Sequence, residues 1–460
     1  MELSLPETVK RACVLLAADH RQAYAVGGGV RDLILGVEPL DWDLATDASP
    51  RDAMAIFIRA GFKVVPTGIK YGTITVFIED LPIEVTTYRV EAGYQDWRRP
   101  AGVHFVKEIE QDLARRDFTI NAIAYDPLQS RVIDPWSGMR DLAALRLRAV
   151  GDPEARIGED ALRIMRAIRI AADYHLQIEP RTWHAIVRNA ELVGRISAER
   201  VRDELTRTLM AKDYLDGLQQ LLQAGLLFVI IPELSESWLF PQYHPYHQYT
   251  VLNHTFEALR YAPASLEVRL AVLLHDVAKP RCFSRGIDGK GHFYGHNLLG
   301  SEMAEDILQR LRYSVRTIKQ VAILIREHML SLQMRSPAMR RLVARAGRQA
   351  IPDLLAVNQA DFLAHSTDLI IHLFSEWEAF RTHLGEVMAE DAAFNLSDLA
   401  INGNDLLAVL GCRPGPLIGT ILNTLWNEVL ACPQKNERNY LLVRAGQIAA
   451  QHDAAPEKRD

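Results

Sequence analysis

Cysteine is scarce in this chain of 460 residues: Cys13, Cys282, Cys412 and Cys432, with no CxxC pair among them. Four thiols so widely spaced exclude a disulfide-stapled scaffold, and a reducing cytoplasmic setting is the simplest expectation. Long apolar runs are missing too. The longest, from Ala224 to Ile231, has eight residues before Pro232 ends it. A membrane-spanning helix needs about 20, so no membrane partner is expected. Residues 10–18 (KRACVLLAA) resemble the middle of a signal peptide, but Glu2 and Glu7 precede them and the stretch is short. It reads as an ordinary amphipathic first helix. Excess charge of one sign is also absent: 52 Lys and Arg against 58 Asp and Glu leave a net charge of −6. That excludes a uniformly basic nucleic-acid wrapper, although a local basic face remains open. There are no internal repeats, and no GxGxxG run of the kind a dinucleotide fold would carry.

What is present is a globular balance, 48% apolar and 24% charged. It excludes a disordered chain, a collagen and a coiled-coil rod, and the length suggests about three domains at roughly 150 residues each. Between 23 and 90, short apolar or alternating runs (AYAV, FKVV, GTITVFI, PIEVTTY) read as strands interleaved with helices. From about 155 onward the pattern is helical, as in ALRIMRAIRIAADYH and SAERVRDELTRTLMA. The expected fold class is α+β: a small mixed-sheet head over 1–145, then helical parts over 146–235, 236–375 and 376–460. Three prolines in IPELSESWLFPQYHPYH (231–247) mark a joint, GIDGKGHFYGH (286–296) a glycine-rich loop, and QHDAAPEKRD a frayed tail.

Charge is divided along the chain. Residues 307–348 hold ten Lys or Arg against Glu327 alone, and 349–409 hold ten acids against Arg381 alone. Two helix faces that neutralise each other would explain this, and so would a phosphate-contacting surface.

Three clusters carry chemistry. In AVGGGVRDLILGVEPLDWDLATD (25–47) a strand runs into Gly27, Gly28 and Gly29, where backbone N–H groups can approach a phosphate. Asp41 and Asp43 then stand two apart, and i and i+2 on a strand share a face. Paired carboxylates are costly without a cation, and oxygen-only ligands suit Mg²⁺. Glu84, in PIEVTTY, is placed to join from a neighbouring strand.

The second cluster is Glu159, Asp160 and Arg163. Asp160 and Arg163 are three apart and are expected to neighbour each other on one helix surface, with Arg166 and Arg169 continuing that side. An intrahelical ion pair is the plain explanation. The sharper one is base selection. Cytosine and adenine both present an amino donor beside a ring-nitrogen acceptor, whereas uracil and guanine present a carbonyl beside an N–H. A carboxylate and a guanidinium side by side match the first pattern and mismatch the second.

The third cluster is His254, His275, Asp276, His296, His328 and Asp361. Mixed His and carboxylate ligands suit a divalent transition metal (Mn, Ni, Co, Fe or Zn) better than Mg²⁺.

In order, GGGVRD, DWD, EVTTYR, DLARRDFTINAIAYD and EDALRIMRAIRIAA resemble the class II tRNA nucleotidyltransferases, the CCA-adding enzymes, whose superfamily also holds bacterial poly(A) polymerase. The resemblance implies a nucleotidyltransferase head. Asp41 and Asp43 would carry catalytic Mg²⁺, with Glu84 as a third acid. Gly28, Arg31, Arg115, Arg116 and Asp117 would contact the nucleotide, Asp160 and Arg163 would select its base, and Arg166 and Arg169 would line the same site. Arg200 and Arg202 would be triphosphate or RNA contacts. The implied reaction is untemplated addition of CCA to tRNA from CTP and ATP by two-metal transfer.

The histidine order resembles the HD phosphohydrolase domain borne by some bacterial members. It implies His254, His275, Asp276 and Asp361 as ligands, His296 and His328 as possible additions, and hydrolysis of cyclic or monoester phosphates. LAINGNDLLAVLGCRPGPLIGTIL (399–422) resembles the tail of those enzymes. The alternatives are a CC-, A- or poly(A)-adding relative, or an HD phosphohydrolase with an RNA-binding head. The segment 90–104 (VEAGYQDWRRPAGVH) favours full CCA addition, and 307–348 is the expected RNA surface. The oligomeric state is not legible.

Overall fold

The structure is a computed structural model describing residues 3–95, 99–243, 248–287, 289–390, 392–411 and 413–453. Part of the 90–104 segment, part of the 231–247 joint, Cys412 and the tail from 454 lie outside the described residues. The chain divides into two compact units, residues 1–232 and 233–460.

The first unit is built on strands β1 (Ala23–Val26), β2 (Trp42–Thr46), β3 (Lys63–Gly68), β4 (Thr73–Ile78), β5 (Leu81–Thr87), a hairpin of β6 (Arg89–Gln95) and β7 (Arg99–Phe105), then β8 (Ala124–Asp126) and β9 (Arg131–Ile133). Seven of them form one mixed sheet in the order β3-β4-β5-β2-β1-β8-β9, with β2 and β5 parallel. The β1 run AYAV is buried throughout, because its apolar side chains are covered on both faces. In β2 every residue is buried except Asp43. A partly exposed carboxylate on an otherwise buried central strand marks where the sheet opens on a cleft. Beneath it, Tyr24, Val26, Ala45, Tyr88 and Leu113 share one core cluster.

Helix starts follow local chemistry. Ser49 precedes Pro50 and accepts a hydrogen bond from the Asp52 N–H, Asp152 precedes Pro153 and accepts from Ala155, and Glu179 precedes Pro180 and accepts from Thr182. Each pairs a side-chain cap with a proline already set at the helical φ. Beyond the head the unit is helical, with one short parallel strand pair, Arg146–Leu147 with Gln177–Ile178.

Among its described residues the second unit is mainly helical, with a two-stranded hairpin, Ser284–Arg285 with Gly291–His292. Its helix Leu266–Leu274 is buried at every residue from Val268 to Leu274. A helix apolar on all sides sits in the interior, so its end delivers His275 and Asp276 into the core. A separate cluster near the C-terminus includes Leu406, Ile421, Leu425 and Leu441. Among the described residues, no helix is long and apolar enough to cross a membrane.

The basic stretch 307–348 is not one open surface. Arg340 is buried, donating to the Leu430 carbonyl at 2.7 Å and to Glu390 at 2.6 Å. Arg310 pairs with Glu233 and Arg345 with Glu327. Arg316, Lys319 and Arg326 are exposed on the helix Val315–Glu327.

Candidate functional site

The first unit contains a cleft of about 990 Å³ lined by all twelve residues expected around a nucleotide: Gly28, Arg31, Asp41, Asp43, Glu84, Arg115, Arg116, Asp117, Asp160, Arg163, Arg166 and Arg169. The sheet supplies the acids. Asp43 on β2 is the register partner of Glu84 on β5, and Asp41 immediately precedes β2. The Asp43 carboxyl is pushed up to about 6. Burial is the largest cause, Arg116 opposes it, and repulsion from Glu84 and Asp41 adds to it. Carboxylates gathered with too little counter-charge fit a divalent cation, and their oxygen-only chemistry fits Mg²⁺. Among the described residues, sets of three or more ligand atoms all within 4.8 Å occur only in the second unit. The head's acids therefore form a looser set, suited to an ion that keeps water or substrate oxygens.

Gly27 makes the floor. Its φ of 77° is a left-handed conformation, and a Cβ there would stand 2.9 Å from Arg116 Nη1 and 3.2 Å from Asp43 Oδ2. Only glycine allows both charged groups to converge over the backbone. Arg116 Nε is buried without a hydrogen-bond partner, and its Nη2 reaches Asp112 only at 3.4 Å. Arg115 is more firmly held, by Asp112 at 2.8 Å and Glu91 at 3.2 Å.

Asp117 organises the wall. It accepts from the Phe118 N–H and from Asn121, and pairs with Arg166 at 2.6 Å. Burial alone would raise its carboxyl, but Arg166 and Asn121 outweigh that and hold it well below the usual carboxylate range. Asn121 also accepts from Arg31 at 2.7 Å. Arg31 in turn bonds Asp32 and Tyr174, and its guanidinium lies 4.3 Å from the Tyr174 ring centre. Tyr174 was not among the expected residues, since an aromatic residue at a helix end carries no motif.

The geometry of Asp160 and Arg163 differs from expectation. The helix Pro153–Glu159 ends before Asp160, which is extended (φ −140°, ψ 107°), and a new helix runs Leu162–Tyr174. Asp160 accepts from the Leu162 N–H at 3.0 Å and pairs with Arg200 at 3.2 Å. Arg163 pairs with Glu159 at 2.5 Å and donates to the Arg115 carbonyl at 3.1 Å. The two are not ion-paired on one helix; each is oriented by its own partners on the wall of the same cleft. The physical reason is that Asp160 hydrogen-bonds the backbone two residues on, which competes with continuing the helix. Arg169 is committed to Glu204 at 2.6 Å and Asp173 at 3.1 Å. Arg202 pairs with its neighbour Asp203.

The second unit holds the histidine cluster. Three groups have ligand atoms within 4.8 Å of one another: His254, His275 and Asp276; His254, Asp361 and His365; Asp276, His296 and His328. His365 is the addition that sequence reading missed, although its i, i+4 spacing from Asp361 was a usable signal. Asp276 is buried, and its Oδ2 makes ion contacts with Lys279 Nζ at 2.7 Å and with His275 Nε2 at 3.1 Å. Burial lowers the basicity of His254, His296 and His328, the last to about 4. At His275 the carboxylates of Asp276 and Asp361 outweigh burial and push it up to about 10. Several imidazoles gathered around two carboxylates make a donor set that a divalent transition ion fits.

Three families match the chain: "Poly A polymerase head domain" at residues 23–148, "Probable RNA and SrmB- binding site of polymerase A" at 175–237, and "tRNA nucleotidyltransferase domain 2 putative" at 296–445. A CCA-adding enzyme of Limosilactobacillus fermentum is 32% identical over 93% of this chain and 93% of its own length. One from Lactobacillus johnsonii is 44% identical over 48% of this chain and 56% of its own. The fold is shared with the Bacillus stearothermophilus CCA-adding enzyme, crystallised in complex with CTP: TM-score 0.70 at 24% identity, covering 98% of this chain and 100% of that one. With a relative this similar aligned along nearly its whole length, the chain belongs to the family of CCA-adding enzymes.

Proposed function

We propose that the cleft adds CCA to the 3′ end of tRNA, taking CTP and ATP without a nucleic-acid template. The observation that carries this is the convergence of Asp43 and Arg116 over Gly27, with Glu84 in register beside Asp43, in one cleft with Asp160 and Arg163. Bound Mg²⁺, held by Asp41 and Asp43 with Glu84 nearby, would activate the RNA 3′-hydroxyl and offset triphosphate charge as pyrophosphate leaves. Arg116, with an unsatisfied Nε, binds phosphate oxygens. Arg31 and Asp117 hold the nucleotide's sugar and phosphate side. Asp160 accepts from the exocyclic amino group and Arg163 donates to the ring nitrogen, so cytosine and adenine are taken. Family membership and the CTP complex of the Bacillus stearothermophilus relative support the reading. The test is incubation with a tRNA lacking its 3′ end, with CTP and ATP singly and together, and sequencing of the product ends. Terminal CCA is the expected result. Ends stopping at CC, single A additions or long A tails would each point to a narrower relative.

A second reading is favoured by the buried carboxylate of Asp276 among the histidines. The centre binds a divalent transition metal and hydrolyses phosphoesters, as the HD-like order of His254, His275, Asp276 and Asp361 suggests. Assays of the purified chain on 2′,3′-cyclic and monoester phosphates, across several divalent metals, test it. Absence of hydrolysis with every metal would leave a structural module.

A further inference from the structure

His365 follows the helix Ile351–Leu363, and its Nδ1 stands 2.9 Å from the carbonyl oxygen of Asp361. A carbonyl can only accept, so Nδ1 carries the proton, and Nε2 is the nitrogen left to offer a lone pair to a metal. The same arrangement recurs around the cluster. His275 Nδ1 lies 2.8 Å from the Val272 carbonyl, His296 Nδ1 2.7 Å from Phe293, and His328 Nδ1 2.6 Å from Ile325. At two histidines away from the cluster the pattern differs: His175 and His383 turn Nδ1 toward the carboxylates of Asp213 and Glu386. Donation of the second ring nitrogen to a carbonyl fixes tautomer and ring orientation, which is how ligating imidazoles are held. His365 is therefore prepared in the same way as the histidines expected to bind metal.

Its position agrees. Ligand atoms of His365, His254 and Asp361 lie within 4.8 Å of one another, and the His365 ring meets the His254 ring edge-on with centres 5.2 Å apart. Donors at about 2.1 Å from one ion stand roughly 3.4 Å apart in a tetrahedron, so small rotations close this triad on a metal. His254 Nε2 already sits 2.8 Å from Asp361 Oδ1, a proton-bridged contact that an ion would replace.

We propose that His365 is a metal ligand, binding a divalent transition ion through Nε2 together with His254 and Asp361. The inference rests on reading the cluster as a metal centre. It adds an imidazole to that centre and moves its preference toward Co, Ni or Zn and away from Mg²⁺.

The experiment uses the full chain, stripped of metal by a chelator and titrated with Co²⁺ in excess Mg²⁺, which the oxygen-only acids of the head prefer. Bound cobalt and its visible absorption are followed for wild type, His365→Gln and His365→Cys, with thermal melts of the metal-free proteins as a folding control. Wild type is expected to take up cobalt with an intense, low-coordinate spectrum. His365→Gln should loosen binding at least about tenfold and alter the spectrum at an unchanged metal-free melting temperature. His365→Cys should restore binding and gain a thiolate-to-cobalt charge-transfer band, which only direct ligation produces. Unchanged affinity and spectrum in His365→Gln, with no such band in His365→Cys, would overturn the role of His365 alone. Failure of wild type to bind cobalt would overturn the metal reading of the whole cluster.

Discussion

Asp43 and Glu84 are register partners on adjacent parallel strands, β2 and β5, and both open on the cleft that Asp160 and Arg163 also line. A parallel pair places their Cα atoms side by side, so two acids far apart in sequence share one end of the sheet. The folded, metal-free site carries a repulsion that a cation removes.

The sign of the pH effect follows from Asp43. Its folded value of about 6 stands above the ordinary 3.8, so folding favours the protonated form. Stability contributed by that proton is present at acid pH and is lost as pH rises through 3.8 to about 6. The shift corresponds to at most about 3 kcal/mol. Asp43→Asn should abolish nucleotide transfer yet stabilise the metal-free protein at pH 7.5 and not at pH 4. Urea unfolding of both proteins at the two pH values checks this; equal stability at pH 7.5 would show that burial and the neighbouring acids impose no such penalty on the Asp43 charge.

Asp160→Ala should lose base choice before it loses triphosphate binding. With the carboxylate gone, the preference for C and A over U and G is expected to fall by roughly tenfold or more. Misincorporation assays with all four nucleotides read the change. Retained selectivity would remove Asp160 from the recognition scheme.

Tyr174 holds Arg31 by two contacts, accepting from its Nη2 at 2.7 Å and lying under the guanidinium, and donates to Asp32 Oδ1 at 2.7 Å. Tyr174→Phe keeps the ring and deletes both hydrogen bonds. Bonds to charged groups are worth about 1.5–3 kcal/mol, so KM for CTP should rise roughly tenfold or more while kcat changes less. Steady-state kinetics separate the two parameters, and an unmoved KM would mean that Arg31 is held without the phenol.

Neutralising Arg316, Lys319 and Arg326 to glutamine should reduce the slope of log affinity for tRNA against log salt by about 2–3, at roughly 0.7–0.9 per phosphate contact. Arg340→Gln should instead destabilise the fold by about 1–3 kcal/mol, because it leaves the carbonyl of buried Leu430 without its donor. Filter binding at several salt concentrations, with melts for Arg340→Gln, distinguishes an RNA surface from a structural arginine. An unchanged slope would put the RNA elsewhere.

Much of the site was legible before any fold was known. Three glycines, DWD, a later glutamate and RRD are local patterns whose chemistry depends on residue type and short spacing, and the helix starts at Pro50, Pro153 and Pro180 are written in the residue before each proline. What spacing could not show is which way a side chain commits. Asp160 and Arg163 share a helix face on paper, yet Asp160 turns its carboxylate to the Leu162 N–H and takes Arg200, forty residues away, as its partner.

The sequence by itself determined residue types and periodicities: a strand-rich head, helical remainder, paired acids, and histidines and aspartates at ligand-like intervals. Those follow from dihedral preferences and from i, i+2 or i, i+4 geometry, which act within a few residues. Only the tertiary structure decided that Tyr174 grips Arg31, that Arg340 is buried while Arg316 is open, and that His365 stands beside His254. Each of these depends on packing between segments distant in the chain, and no local preference encodes which distant surface a side chain will meet.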